Sequence, residues 1–342
     1  MSPLVLQSDN DMSFYMDSSK KYFDSGITDS LTRLNNHYQE KGFFAGFLEL
    51  APPLFPAILY LFEYGEGNTL PLALFYLIMS VALCWGWLYW LNNRGISVYW
   101  LAIFAVLPNP FWFTLYISTD LVFAIVFMAF YFSYTSSKYY LAAALLVLAL
   151  ISRPNALSLI LFVVAHPILV SQRLSRMQIA VMSVLALICA IPLVPVYYPY
   201  FVFFVEVGGK HLLFGHSPRE YVDGIFSALP FWLDKPFSWV AFLGAKLLYF
   251  VGLRPSWGSI PWEMLVARSV AGFILLPGFL YMLFRADPMH RLLAIFFALP
   301  IFLGSAQDRY NLPLQPLLFY FGVVSINEMS SFVKQRFKAF IS

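Results

Sequence analysis

The chain has 342 residues, is 60% hydrophobic with a mean hydropathy of +0.71, and carries charge on only 11% of its residues. A soluble domain has about a quarter charged residues, because even a full core leaves a surface that water must wet; a soluble globular domain is therefore excluded, and the remaining solvent is lipid. The net charge of +3 comes without a basic block, which leaves nucleic acid out as a partner.

Aromatics make up 19% of the chain, with 36 Phe and 21 Tyr. Tyr and Trp favour the membrane–water interface, so this excess fits many short spans with many crossings. The first 40 residues are polar, hold nine charges of mixed sign and do not read as a signal peptide. Within them, Asp9 or Asp11 could cap a helix from about Met12 to Asp24, act as a general base, or bind a metal.

From Glu66 onwards the charges divide the chain into apolar runs. These lie between Glu66 and Arg94, Arg94 and Asp120, Asp120 and Lys138, Lys138 and Arg153, and Arg153 and Arg173. The series resumes from Arg176 to Glu206, Arg268 to Arg285, Arg291 to Asp308, and Arg309 to Glu328. A span needs about 17–25 residues, and several runs, notably Tyr139 to Ser152, sit at or below that minimum. The expectation is an all-α polytopic transmembrane bundle of about nine spans. Cys84 and Cys189 each fall inside an apolar run and read as small buried hydrophobes.

Lys and Arg in the short connections set the orientation. If the first span runs inwards, the inner connections and tail hold Arg94, Lys138, Arg173, Arg176, Arg285, Arg291, Lys334, Arg336 and Lys338, while the short outer connections hold only Arg153 and Arg309. Phe237 to Leu253 is apolar enough for a tenth span but has Lys246 near its centre. A central Lys costs about 2.5–3.5 kcal/mol on insertion, and an added span would put the basic tail outside. This segment is expected at the outer interface or packed inside the protein.

The organisation that follows has four parts. Residues 1–66 form an outer-face loop region with amphipathic helices, and 67–197 a transmembrane bundle. Residues 198–262 form a large outer-face loop with an interfacial helix, and 263–342 the last transmembrane helices and a basic cytoplasmic tail. The expected location is a bacterial inner membrane, with any active site facing outwards.

Several polar positions fall on that outer side. Asp120 opens an apolar helix, either as a cap or facing an outer cavity. Arg153, before Pro154, either anchors at the interface or binds a lipid phosphate through its planar fork. Gly208, Gly209, Lys210 and His211 lie in a loop whose paired glycines and cations suit an anion as well as they suit an ordinary outer loop. Arg309 and Tyr310 precede Asn311-Leu312-Pro313 and the last span, as an interfacial anchor or a binding element. Nothing matches a GxSxG, Walker, HExxH or Rossmann pattern.

Taken in order, these features resemble the polytopic glycosyltransferases of the GT-C type that use polyprenyl-phosphate sugars. The similarity is greatest to the bacterial group of lipid A aminoarabinose transferases and protein mannosyltransferase-like enzymes. The matching positions are Asp11, Tyr15 and Gly26, then Ala51-Pro52-Pro53-Leu54-Phe55-Pro56, Ser118-Thr119-Asp120-Leu121, Ser152-Arg153-Pro154-Asn155, the Gly208–Gly215 loop and Arg309-Tyr310-Asn311-Leu312-Pro313. The resemblance implies Asp11 as general base, with Asp9 as understudy. It implies that Asp120, Arg153, Gly208, Gly209, Lys210, His211, Arg309 and Tyr310 bind substrate or phosphate.

The partners it implies are a polyprenyl-phosphate-linked sugar, membrane lipids, and a glycan, lipid or protein acceptor in the cell envelope. The resemblance implies no certain cofactor, and a divalent cation is compatible with the carboxylates. Family members begin with a transmembrane helix before the catalytic loop, so the chain reads as lacking that first helix. The alternatives are an envelope polysaccharide polymerase or ligase, and a polytopic lipid or solute transporter.

Overall fold

The computed structural model describes residues 9–24, 51–62, 70–107, 118–169, 230–253, 262–303 and 311–341, with a few positions between 184 and 198. All regular structure among the described residues is helical. The helices are α1 (Asp9–Phe23), α2 (Leu54–Leu61), α3 (Leu70–Asn93), α4 (Val98–Ala105), α5 (Thr119–Thr135) and α6 (Tyr139–Ser152). A short 3₁₀ turn, Pro154–Ala156, leads into α7 (Leu157–Leu169). The remainder are α8 (Phe231–Phe250), α9 (Trp262–Phe284), α10 (Pro288–Leu303) and α11 (Gln315–Ile341).

Among the described residues, two segments are long and apolar enough to cross a membrane, α3 and the part of α11 from Gln315 to Phe337. A third exists if Ser269–Phe284 and Pro288–Pro300, which meet at a 119° bend, count as one broken span. Helices α5, α6 and α7 occupy apolar runs expected to span, but at 17, 14 and 13 residues they are at or below the usual span length.

Helix α3 carries the clearest membrane signature. Leu74, Ile78, Val81 and Trp85 are all exposed along one face. In water such a stripe would be buried against a core. At its C-terminal end Arg94 lies over the Trp90 ring, 5.2 Å from its centroid, the aromatic-and-cation pairing of an interface. Gly95, at φ +76°, then ends the helix, with its N–H donating to Asn92 and that of Ile96 to Leu91. Cys84 is half-buried and free rather than fully buried; Cys189 lies outside the described residues.

The chain divides into two compact units, Met1–Gly86 with Trp112–Val207, and Trp87–Phe111 with Gly208–Ser342. In the first, α5 and α6 form a hairpin, α1 packs on α2, and α2 reaches α6. Helix α1 begins at Asp9, three residues before the expected Met12, so Asp9 and Asp11 occupy its first turn, where negative charge suits the helix dipole. In the second unit, α9 packs along α11 with very close backbones. A Cβ at Gly278 would run into the Leu318 carbonyl, and one at Gly322 into the Ile274 carbonyl. Small residues of this kind let membrane helices approach closely. Helix α11 continues past Glu328, so the basic positions Lys334 and Arg336 are a helical extension.

Candidate functional site

The first unit brings together two of the sequence motifs. Helix α5 is capped by Ser118, whose Oγ accepts from the Leu121 N–H at 3.4 Å. That leaves the Asp120 carboxylate, itself 2% exposed, to point elsewhere. It forms an ion pair with Arg153, whose side chain is 14% exposed. Of the two sequence readings of Asp120, capping is thus the one the geometry rejects. Arg153 is equally far from a snorkelling anchor, because most of its side chain is enclosed.

The backbone explains why Arg153 is available. As the residue before Pro154 it is driven out of the helical region and sits extended at φ −153°, ψ 144°, between α6 and the 3₁₀ turn. This break turns the side chain back towards the start of α5. The surroundings are polar for an interior. Ser152 Oγ donates to the Ala149 carbonyl at 2.6 Å, and Ser158 Oγ to that of Asn155 at 2.7 Å. Near the same end of α6, the Tyr197 hydroxyl donates to the Leu150 carbonyl.

Helix α1 is fastened to α2 by groups that sequence reading did not single out. Ser18 Oγ accepts from the Ala51 N–H at 2.9 Å, and the Tyr22 hydroxyl donates to the Ala51 carbonyl at 2.8 Å. Tyr15 meets Phe55 edge-on at 4.7 Å, and Phe55 in turn meets Tyr76. The matched positions Tyr15 and Ala51–Phe55 are therefore neighbours in space. The 3–4 spacing of Tyr15, Ser18 and Tyr22 was the available signal, since it puts all three on one helix face. The Tyr76 hydroxyl is buried and has no hydrogen-bond partner among the described residues.

In the second unit α8 starts at Phe231, earlier than the expected Phe237, and buries Lys246 to 1% exposure. Its ammonium lies 4.8 Å from the centroid of the Phe242 ring. One turn on, Asn311 Nδ2 donates to the Phe250 carbonyl. Gln315, a turn after Asn311, is wholly buried, and its amide nitrogen and oxygen have no hydrogen-bond partner among the described residues. Buried amides cost free energy when unpaired, so this cluster is a second polar centre.

Gly208, Gly209, Lys210, His211, Arg309 and Tyr310 lie outside the described residues. For Asp9 and Asp11 the helical backbone alone is described. Among the described residues no group of three or more His, Cys, Asp and Glu is arranged to hold a metal ion. Compared with family models, with curated proteins and with solved structures, the chain matches none.

Proposed function

We propose that the chain is a membrane glycosyltransferase of the GT-C type, a polytopic bundle of about nine spans in a bacterial inner membrane. In this reading it takes a sugar from a polyprenyl-phosphate donor to an envelope acceptor on the outer face, with its C-terminus in the cytoplasm. The observation that carries the reading is the buried Asp120–Arg153 pair. Two motifs expected beside the donor phosphate, a whole helical hairpin apart in sequence, meet at one point. A guanidinium held by a carboxylate is a pre-oriented fork for a phosphate oxygen.

The chemistry is a single displacement. An acceptor hydroxyl or amine attacks the anomeric carbon, and the bond from that carbon to the phosphate oxygen breaks. The polyprenyl phosphate leaves with the electron pair, and the configuration inverts. Asp11 takes the acceptor proton. Arg153 stabilises the charge building on the leaving phosphate.

Asp11→Asn in the full-length protein tests this. The expected result is normal abundance with sugar transfer down by about 10²–10⁴-fold, and a smaller loss for Asp9→Asn. Full transfer by both variants would remove the base and sink the reading.

One observation favours a transporter instead, the 119° break between α9 and α10. Transporters place broken helices at the membrane midplane. Here the break carries Arg285 and Asp287, both exposed, which suits a turn at the membrane surface better.

A further inference from the structure

Next to their close contact at Gly278 and Gly322, helices α9 and α11 line an open groove of about 610 Å³. Pockets of roughly 300–1,000 Å³ hold drug-sized ligands. The floor is apolar, with Leu276, Leu280, Phe284, Met329 and Phe332. Phe284, Met329 and Phe332 are 69%, 63% and 58% exposed, so this floor needs an apolar cover.

The groove also has a polar lining in Tyr281, Arg285, Ser325 and Glu328. Glu328 lies in its wall, accepting from the Tyr281 hydroxyl at 2.9 Å and from Arg285 at 3.1 Å. That carboxylate is already engaged. Beyond it Arg336 lies over the ring of the lining residue Phe332 at 5.3 Å, next to the groove. Lys334 is exposed on the same stretch of α11. An apolar slot with a cation next to it, on a helix long enough to span, is complementary to a long alkyl chain with an anionic head.

We propose that this groove holds one acyl chain of an anionic glycerophospholipid, with the headgroup phosphate at Arg336. The proposal rests on the chain being a membrane protein and is independent of any transferase activity. The probe is phosphatidylglycerol with a photoactivatable acyl chain, in phosphatidylcholine vesicles containing the full-length protein. Flotation with the vesicles establishes membrane insertion separately from lipid binding.

The expected photoproduct is on Met329 or Phe332, and unlabelled phosphatidylglycerol should displace it while phosphatidylcholine should not. Arg336→Gln, at an exposed position, should lower labelling about tenfold, the effect of losing one charge-assisted hydrogen bond. Leu280→Trp should abolish it by filling the floor. Equal competition by phosphatidylcholine, stronger competition by a polyprenyl phosphate, or unchanged labelling of Arg336→Gln in protein that floats normally would each overturn the proposal.

Discussion

Arg153 and Asp120 meet as a buried ion pair at one end of the α5–α6 hairpin. The pairing depends on local rules acting together. Ser118 takes the capping role and frees Asp120, while Pro154 holds Arg153 out of the helix. Neither charge would persist alone at that depth, because an unpaired buried charge is far costlier than a paired one.

The first prediction follows from that asymmetry. Asp120→Ala and Arg153→Ala should each cost about 3–5 kcal/mol, since each strands its partner's charge in the interior. The double variant should cost clearly less than their sum, with a coupling of about 1–3 kcal/mol. Denaturant unfolding in detergent measures all three. Strict additivity would mean that the two side chains do not pair in the folded protein.

A second prediction concerns the α9–α11 contact. In an exposed helix interior, Gly→Ala stabilises by about 1 kcal/mol. Gly244, with nothing within 4 Å of a new Cβ, should behave that way. Gly278→Ala and Gly322→Ala should instead destabilise by about 2–3 kcal/mol, because the new methyl meets backbone that cannot move aside. Thermal unfolding of the three variants decides it, and stabilisation at Gly278 would show that the helices do not approach this closely.

Asp287, in the bend between α9 and α10, supplies a pH-dependent prediction. Its Oδ1 caps α10 by accepting from the N–H groups of Met289 and His290 at 3.1 and 3.3 Å, and its Oδ2 pairs with the His290 ring. Burial pushes the carboxyl up, but the His290 contacts and backbone N–H bonds outweigh it and hold it below its ordinary value. A depressed carboxylate stabilises the fold above its unfolded pKa, and that contribution fades as pH falls below about 4. Asp287→Ala should cost about 1 kcal/mol at neutral pH, as lost caps do. The gap from the parent protein should narrow on acidification; a gap that widens would reverse the sign assigned here.

The helix boundaries were legible because charge is expensive in an apolar run. Lys138 and Arg153 bracket α6 as expected, and Pro154 marks the start of the next helical segment. What was not legible depends on long-range contact. Asp at a helix start reads equally as a cap, so only the fold reveals that Ser118 has that role. The Ala51 clamp from Ser18 and Tyr22 joins segments whose intervening sequence carries no pairing signal. Helix α11 outran the expected end at Glu328 because Lys and Arg are good helix formers, and charge alone does not stop a helix. The buried Gln315 amide gave no sign in sequence, as a single Gln at the head of an apolar helix is ordinary.

The last prediction is topological and rests on the distribution of Lys and Arg. With the orientation proposed, Cys introduced at Ser217 should react with a membrane-impermeant thiol reagent from outside, and Cys at Ser175 should not. Lys246 sharpens the test. Its full burial over Phe242 lets α8 be apolar without crossing the bilayer. Reporters inserted after Pro230 and after Leu253, which bracket α8, should therefore report the same side. Reporters on opposite sides would make α8 a tenth span and carry the basic end of α11 to the outer face, against the positive-inside rule. The proposed outward placement of Asp120 and Arg153 rests on the same distribution of Lys and Arg, so reversed labelling at Ser217 and Ser175 would remove the proposed outward active site together with the orientation.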